Sequence, residues 1–361
     1  MTVRRALVWL VPFLALALAL VGLVAGTRLG GVAATALGVV LAGALVMVVF
    51  SAVHHAEVVA ARLGEPFGTL VLTVAVTVIE VALILSIMLA GEGGATLARD
   101  TVLAVLMLVC NGLVGVCLIV GGFRYGEQGF RVPGVISYLI VLMPLATLSL
   151  ILPTYTWSEP GPYFSGRQLA FVSVVTLVLY AVFLYVQTVR HRDYFLPAPG
   201  SDPSVSAAPT PAAFWESAGL LVVGLLAVVL LAKVLGGPIT ELVSALGAPV
   251  ALVGVFVAML VLLPESLAAI KAARRNELQK SLNLALGSSL ASIGMTVPAV
   301  GVLSLYLGQP LALGLDPRDI VLLLLTFAVS IATFGSGRTN ILPGFVHLVL
   351  FVTFVFLVFA P

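Results

Sequence analysis

The 361-residue sequence predicts an all-α integral membrane protein of about 11 transmembrane helices, built as one N-terminal span followed by two inverted five-helix repeats. Three observations lead there. Hydrophobic residues make up 61% of the chain and charged residues only 9%, against about 25% charged in a soluble domain. Eleven apolar runs approach the length of about 20 residues that a membrane span needs. Two of those runs, one in each half of the chain, begin alike and end on a glutamate.

The runs fall at 6–25, 32–53, 67–90, 101–122, 133–152, 168–189, 214–235, 248–271, 284–306, 319–335 and 341–360. The first follows Arg4 and Arg5 and also fits a signal sequence; without it the other ten keep their orientation. After the second comes "SAVHHAEVVAARLGE", with His54, His55, Glu57 and Arg62, read as an interfacial loop. The fourth carries Cys110 and Cys117, seven apart. On a helix that is about 10 Å of rise, too far for a disulfide, so both pack as small apolar residues. Arg190–Ala213 holds five prolines among Ser and Ala and reads as a flexible linker. It divides the chain into an extra N-terminal span (1–30), a first five-helix repeat (31–189), the linker (190–213) and a second repeat (214–361). "FGSGRTNILPGFVH", 334–347, is a polar turn between two apolar spans, and His347 reads as a hydrogen-bonded packing residue rather than a ligand.

Lys and Arg set the orientation. Twelve fall on one side (Arg4, Arg5, Arg62, Arg124, Arg131, Arg190, Arg192, Lys271, Arg274, Arg275, Lys280, Arg338) and five on the other. The richer side is expected in the cytoplasm, with the N-terminus inside and the C-terminus outside a bacterial inner membrane. A net charge of +2, without a basic arm, gives no reason to expect a nucleic-acid partner. No CxxC, HExxH, Walker or GxGxxG pattern occurs, and no cofactor is implied.

"LGEPFGTLVLTVAVTVIE", 63–80, and "LGAPVALVGVFVAMLVLLPE", 246–265, both start Leu-Gly-x-Pro and close on an acid, 17 and 19 residues on. Each is the second span of its five-span half. Five is odd, so the second half enters the membrane in the opposite sense. Inverted repeats of this kind place ion sites of secondary transporters near the midplane. Glu80 and Glu265 are expected to face each other there.

An acid at bilayer depth costs about 2.5–3.5 kcal/mol on insertion scales. No Lys or Arg lies at comparable depth in any span. Each acid must then take up a proton or hold a cation, and a site that alternates between those states exchanges one for the other. Polar neighbours suit such a site. Thr77 shares a helix face with Glu80. Pro264 beside Glu265 frees a backbone carbonyl, the device of a broken transporter helix. Ser288, Ser289 and Ser292 follow in "SLNLALGSSLASIGMTVP", and Asn111 stands in an apolar run. These offer hydroxyl, amide and carbonyl oxygens, the donors a hard cation such as Ca²⁺ takes.

"HHAEVVAARLGEPFGTL", "VTVIEVALI", "LPESLAA", "SLNLALGSSLASIGMTVP" and "GRTNILPGFVHLVLF" resemble the bacterial ChaA-type calcium/proton antiporters, in the cation/proton exchanger branch of the calcium/cation antiporter superfamily. The resemblance covers nearly the whole chain after the first span. It implies one essential acid in each of two repeats, matching Glu80 and Glu265. It also implies a helix that starts on a Gly-Ser pair, matching Gly287 and Ser288, and a polar role for Asn111. Vacuolar-type members carry Gly-Asn before each acid; here "TVI" and "LLP" stand in those places. The expected function is exchange of cytoplasmic Ca²⁺ for external protons by alternating access, with Na⁺/H⁺ or K⁺/H⁺ exchange as the alternative. Cation and proton are substrates, and the lipid bilayer is the surrounding partner. An intramembrane enzyme would need a paired metal-ligand set or a nucleophile, and the chain offers neither.

Overall fold

The computed structural model describes residues 3–25, 31–64, 67–89, 95–196, 209–245, 249 and 251–360. Within them lie eleven helices, as the sequence predicts: α1 (Val3–Ala25), α2 (Gly31–Leu63), α3 (Phe67–Leu89), α4 (Leu97–Tyr125), α5 (Val132–Tyr155), α6 (Gly166–Arg190), α7 (Pro211–Ala245), α8 (Ala251–Ala273), α9 (Leu278–Leu307), α10 (Pro317–Phe334) and α11 (Ile341–Phe359). Three of them contain a widened π-type turn: α4 at Leu108–Leu113, α5 at Thr147–Ile151 and α6 at Val186–Arg190. Parts of the Pro-rich linker and of both Leu-Gly-x-Pro starts lie outside the described residues. The helices form two compact units, one of α1–α3 with α7, the other of α4–α6 with α8–α11.

In the first unit α2 packs on α1, α3 and α7, and α7 also packs on α1 and α3. Small residues bring α2 and α7 together. Ala52 and Ala56 are fully buried, and a Cβ on Gly224 would touch the Ala52 Cβ at 3.5 Å. The segment from Ser51 to Leu63, expected as a loop, is the last three turns of α2. Ala, Glu, Arg and Leu sustain the helix there. Gly64 ends it: its φ is +66°, and its N–H bonds the Ala60 carbonyl at 3.0 Å, an αL cap that glycine adopts without a Cβ clash.

In the second unit α4 is the centre. Its sequence is apolar all round, the pattern of a helix enclosed by others, and nearly every residue from Leu97 to Leu118 is buried. α9 packs against α4, α5 and α6, and α11 lies along α4. Glycines permit the α4–α11 approach. A Cβ on Gly115 would stand 2.9 Å from the Gly344 carbonyl oxygen, and one on Gly344 would stand 3.0 Å from that of Gly115. Small residues at a crossing are how helices reach close contact inside a membrane. α6 shows the outward counterpart: Phe171, Val174, Val178, Val182 and Tyr185 form an exposed stripe, while Val172, Thr176, Tyr180 and Phe183 face inward.

Loops close both ends of this unit. At the end rich in Arg and Lys, β1 (Gln128–Gly129) pairs antiparallel with β2 (Arg338–Thr339). The polar turn read from the sequence is therefore one strand of a short ladder. Amides tie the same end. Gln128 Nε2 donates to Asn276 Oδ1 at 2.9 Å, Gln279 Oε1 accepts from the Arg131 N–H at 2.7 Å, and Asn283 Nδ2 donates to the Phe195 carbonyl at 2.6 Å. At the other end Arg99 donates to the Gly314 carbonyl at 2.9 Å, and the Leu315 N–H to the Leu150 carbonyl at 2.8 Å.

The Gly115–Gly344 crossing makes a direct prediction. Gly115→Ala pushes a methyl group into backbone and lowers stability by about 1–3 kcal/mol. Gly43→Ala, where a Cβ meets nothing within 4 Å, does not. Thermal midpoints of the two variants in one detergent check this; equal midpoints would show that α4 and α11 can part without cost.

Candidate functional site

Glu80 belongs to the first unit. It sits on α3, three residues after Thr77, so the two share a face. Glu80 is 2% exposed and Thr77 7%. The apolar residues around them on α3, Ile79, Leu83 and Ile84, are buried as well. A carboxylate taken this far from water is stable only if neutralised or partnered. The same unit buries His55, whose Nδ1 lies 3.3 Å from the Ser217 hydroxyl on α7. Its neighbour His54 faces outward.

Glu265 belongs to the second unit and is half-buried on α8. Pro264 does not break this helix, which runs continuously from Ala251 to Ala273. A proline still lacks the N–H that would bond four residues back, so the Leu260 carbonyl loses its helical donor while the helix continues. On α9, Ser289 and Ser292 are buried and Ser288 is half-buried. Gly287 and Ser288 lie inside α9, which starts at Leu278; the resemblance placed such a pair at a helix start. Ser289 lies against the Cys110 thiol and Ser281 against that of Cys117, and both cysteines are free and buried. Among the described residues no three His, Cys, Asp or Glu side chains converge.

Asn111 sits in the π-type turn of α4 and is 0% exposed. Such turns inside α-helices recur at functional sites. Its Nδ2 donates to Thr326 Oγ1 on α10 at 2.8 Å, and that hydroxyl donates to the Leu322 carbonyl at 2.8 Å. Its Oδ1 lies 3.1 Å from His347 Nδ1 on α11, and His347 Nε2 lies 3.1 Å from Thr333 Oγ1 on α10. Four side chains from three helices thus form one chain of hydrogen bonds in an apolar interior. His347 is hydrogen-bonded, as the sequence reading expected. Its partners were not read from the sequence, although Thr326 and Thr333, seven residues apart and so on one helix face, were a usable signal.

Two clefts of about 420 and 470 Å³ open at the Arg99 end of the second unit and share Glu159 and Pro160. Neither includes a residue of the predicted site.

The Asn111 contacts carry a stability prediction. Thr326→Val leaves the buried Asn111 amide only the Met107 sulfur at 3.7 Å, a weak acceptor, at a cost of about 1–3 kcal/mol. Thr353→Val removes an exposed hydroxyl that bonds only its own helix and should be near neutral. Unfolding in detergent separates them, and equal loss would mean the Asn111 amide finds another acceptor. Cys110 and Cys117 should also stay unlabelled by a maleimide until the protein is unfolded; rapid labelling of the folded protein would contradict their burial.

A model of the sodium/calcium exchanger protein family matches residues 12–189 and 216–360. The chain is 49% identical over 314 residues to y4hA of Sinorhizobium fredii, covering 87% of this chain and 86% of that protein. It is 36% identical over 316 residues to the sodium-potassium/proton antiporter ChaA of Escherichia coli, covering 86% and 85%. Its fold is similar to that of the crystal structure of the Ca²⁺/H⁺ antiporter protein YfkE, with a TM-score of 0.71 over 98% of this chain and 99% of that one, at 15% identity.

Proposed function

The chain belongs to the sodium/calcium exchanger protein family, and from that premise we propose that it is a secondary transporter exchanging cytoplasmic cations for external protons by alternating access. The observation that carries the proposal is Glu80: a carboxylate 2% exposed on an apolar helix of a multi-pass membrane protein. Such a group is tolerable as the neutral acid or with a cation beside it. Alternation between these two states is exchange. Glu265 is the second exchanging acid. Thr77 beside Glu80, and Asn111, Ser288, Ser289 and Ser292 in the unit of Glu265, supply neutral oxygens. The proton gradient loads protons from outside, and deprotonation on the inside frees each acid for a cation. The Lys and Arg distribution favours an N-terminus inside and a C-terminus outside the inner membrane.

Na⁺ or K⁺ is the favoured cargo, because the 36% identical relative is named a sodium-potassium/proton antiporter. The absent Gly-Asn before each acid weakens the carry-over of ion selectivity from the vacuolar-type members. Ca²⁺ is the second reading, the one expected from the sequence: two carboxylates neutralise one divalent ion, and surrounding oxygens complete its shell of 6–8 donors.

Everted vesicles with an imposed pH gradient test both. Na⁺ or K⁺, added separately, should release protons, and Glu80→Gln and Glu265→Gln should each abolish release while the protein stays in the membrane. Release with Ca²⁺ alone selects the second reading. No release with any of the three ions would overturn antiport, and wild-type rates in both variants would remove the acids from the mechanism.

A further inference from the structure

The Met107 sulfur, an acceptor 3.7 Å from Asn111 Nδ2, sets the direction of the hydrogen-bond chain around Asn111. Asn111 Oδ1 can only accept, so the facing His347 Nδ1 carries the hydrogen and donates. In a neutral imidazole Nε2 is then the acceptor, and the Thr333 hydroxyl donates to it. At the other side the Asn111 NH₂ donates to Thr326, whose own hydrogen is committed to the Leu322 carbonyl. Turning the amide over would set the carbonyl against the Met107 sulfur, which can only accept. With the amide so turned, His347 is the donor to its carbonyl. The ring also meets the Cys110 backbone, and it is 0% exposed beside the Phe334 ring.

We propose that His347 is a positioning residue for ion exchange: its Nδ1–H holds the Asn111 carbonyl in the orientation that the transported cation meets. The inference rests on the reading that Asn111 lends oxygen to the cation. A carbonyl oxygen has two lone pairs, so one can accept from His347 while the other faces an ion. The π-type turn at Leu108–Leu113 bears on the same point. It gives Asn111 a place on α4 that a regular helix would not, and the contacts to α10 and α11 keep it there.

Two substitutions separate positioning from packing. The amide of Gln reaches the place of Nε2, so His347→Gln keeps the bond to Thr333 and loses the donor to Asn111. The amide of Asn sits at the place of Nδ1, so His347→Asn keeps a donor to Asn111 and loses Thr333. Proton release in everted vesicles, at equal amounts of folded protein, gives KM for Na⁺ and K⁺ and the maximal rate. His347→Gln should raise KM about 3–10-fold with little change in rate, the loss expected when one hydrogen bond orienting a ligand is gone. His347→Asn should recover most of that affinity. Equal KM values for the two variants would overturn the proposal and leave His347 a packing residue. Asn111→Ala guards the premise: if it exchanges with a wild-type KM, the assignment of Asn111 has failed, and the role of His347 falls with it. If Asn111→Ala is impaired while His347→Gln is not, the premise stands and the positioning role alone is refuted.

Discussion

A polar group inside a bilayer has no water to turn to, and the rest of this structure follows from that constraint. Backbone groups meet it by forming helices, the form in which a single segment satisfies its own hydrogen bonds. Side chains meet it by pairing inward. The exposed stripe of α6 carries Phe and Val, while its inward face carries Thr176, whose hydroxyl bonds the Val172 carbonyl at 2.8 Å. Asn111, Thr326, His347 and Thr333 meet the constraint together, each giving what the next can accept. A neutral imidazole suits that chain because it offers one donor and one acceptor.

The same constraint explains why α4 is central. A helix that carries Asn111 and two glycines, Gly112 and Gly115, in its middle would expose polar backbone to lipid at the surface of a bundle. Enclosed by α9 and α11, it turns those features to advantage: glycines admit the neighbouring backbone and the amide finds two partners. At the end rich in Arg and Lys the logic changes, because water and headgroups are available. There Gln128, Gln279 and Asn283 bind the loops through neutral amides, and arginines such as Arg190, Arg274 and Arg275 remain exposed. Amides hold geometry without the desolvation cost of an ion pair.

Much of the fold was legible because lipid imposes a strong and simple pattern. Eleven apolar runs became eleven helices, and the isolated acid in "TVAVTVIE" became the buried Glu80. Helix ends were harder to read. α2 continues to Leu63 and α9 begins at Leu278, because the membrane limits where apolar residues stop, not where a helix does. Gly64 and Asn276, both with positive φ, mark the true ends, and their signal is a single residue each. The β1–β2 ladder was invisible for another reason: two-residue strands have no periodicity, and their pairing joins loops far apart in the chain, with Gln128 opposite Thr339. His347 shows the limit at the candidate site. Sequence could say that a buried histidine needs partners, but Thr333 and Asn111 lie on other helices, and only packing brings them to it.

The carboxylates and the amide chain answer the constraint in opposite ways, and a transporter needs both. The amide chain is satisfied by neutral donors and acceptors that none of its members has to give up, so it can hold three helices of one unit in fixed register. A carboxylate can be satisfied by a proton or by a cation, and neither is part of the chain. Its stability inside the membrane therefore depends on what the surrounding water supplies. Under the proposed exchange Glu80 takes a proton in one state and a cation in the other, and an amide in its place would be content in both and couple nothing.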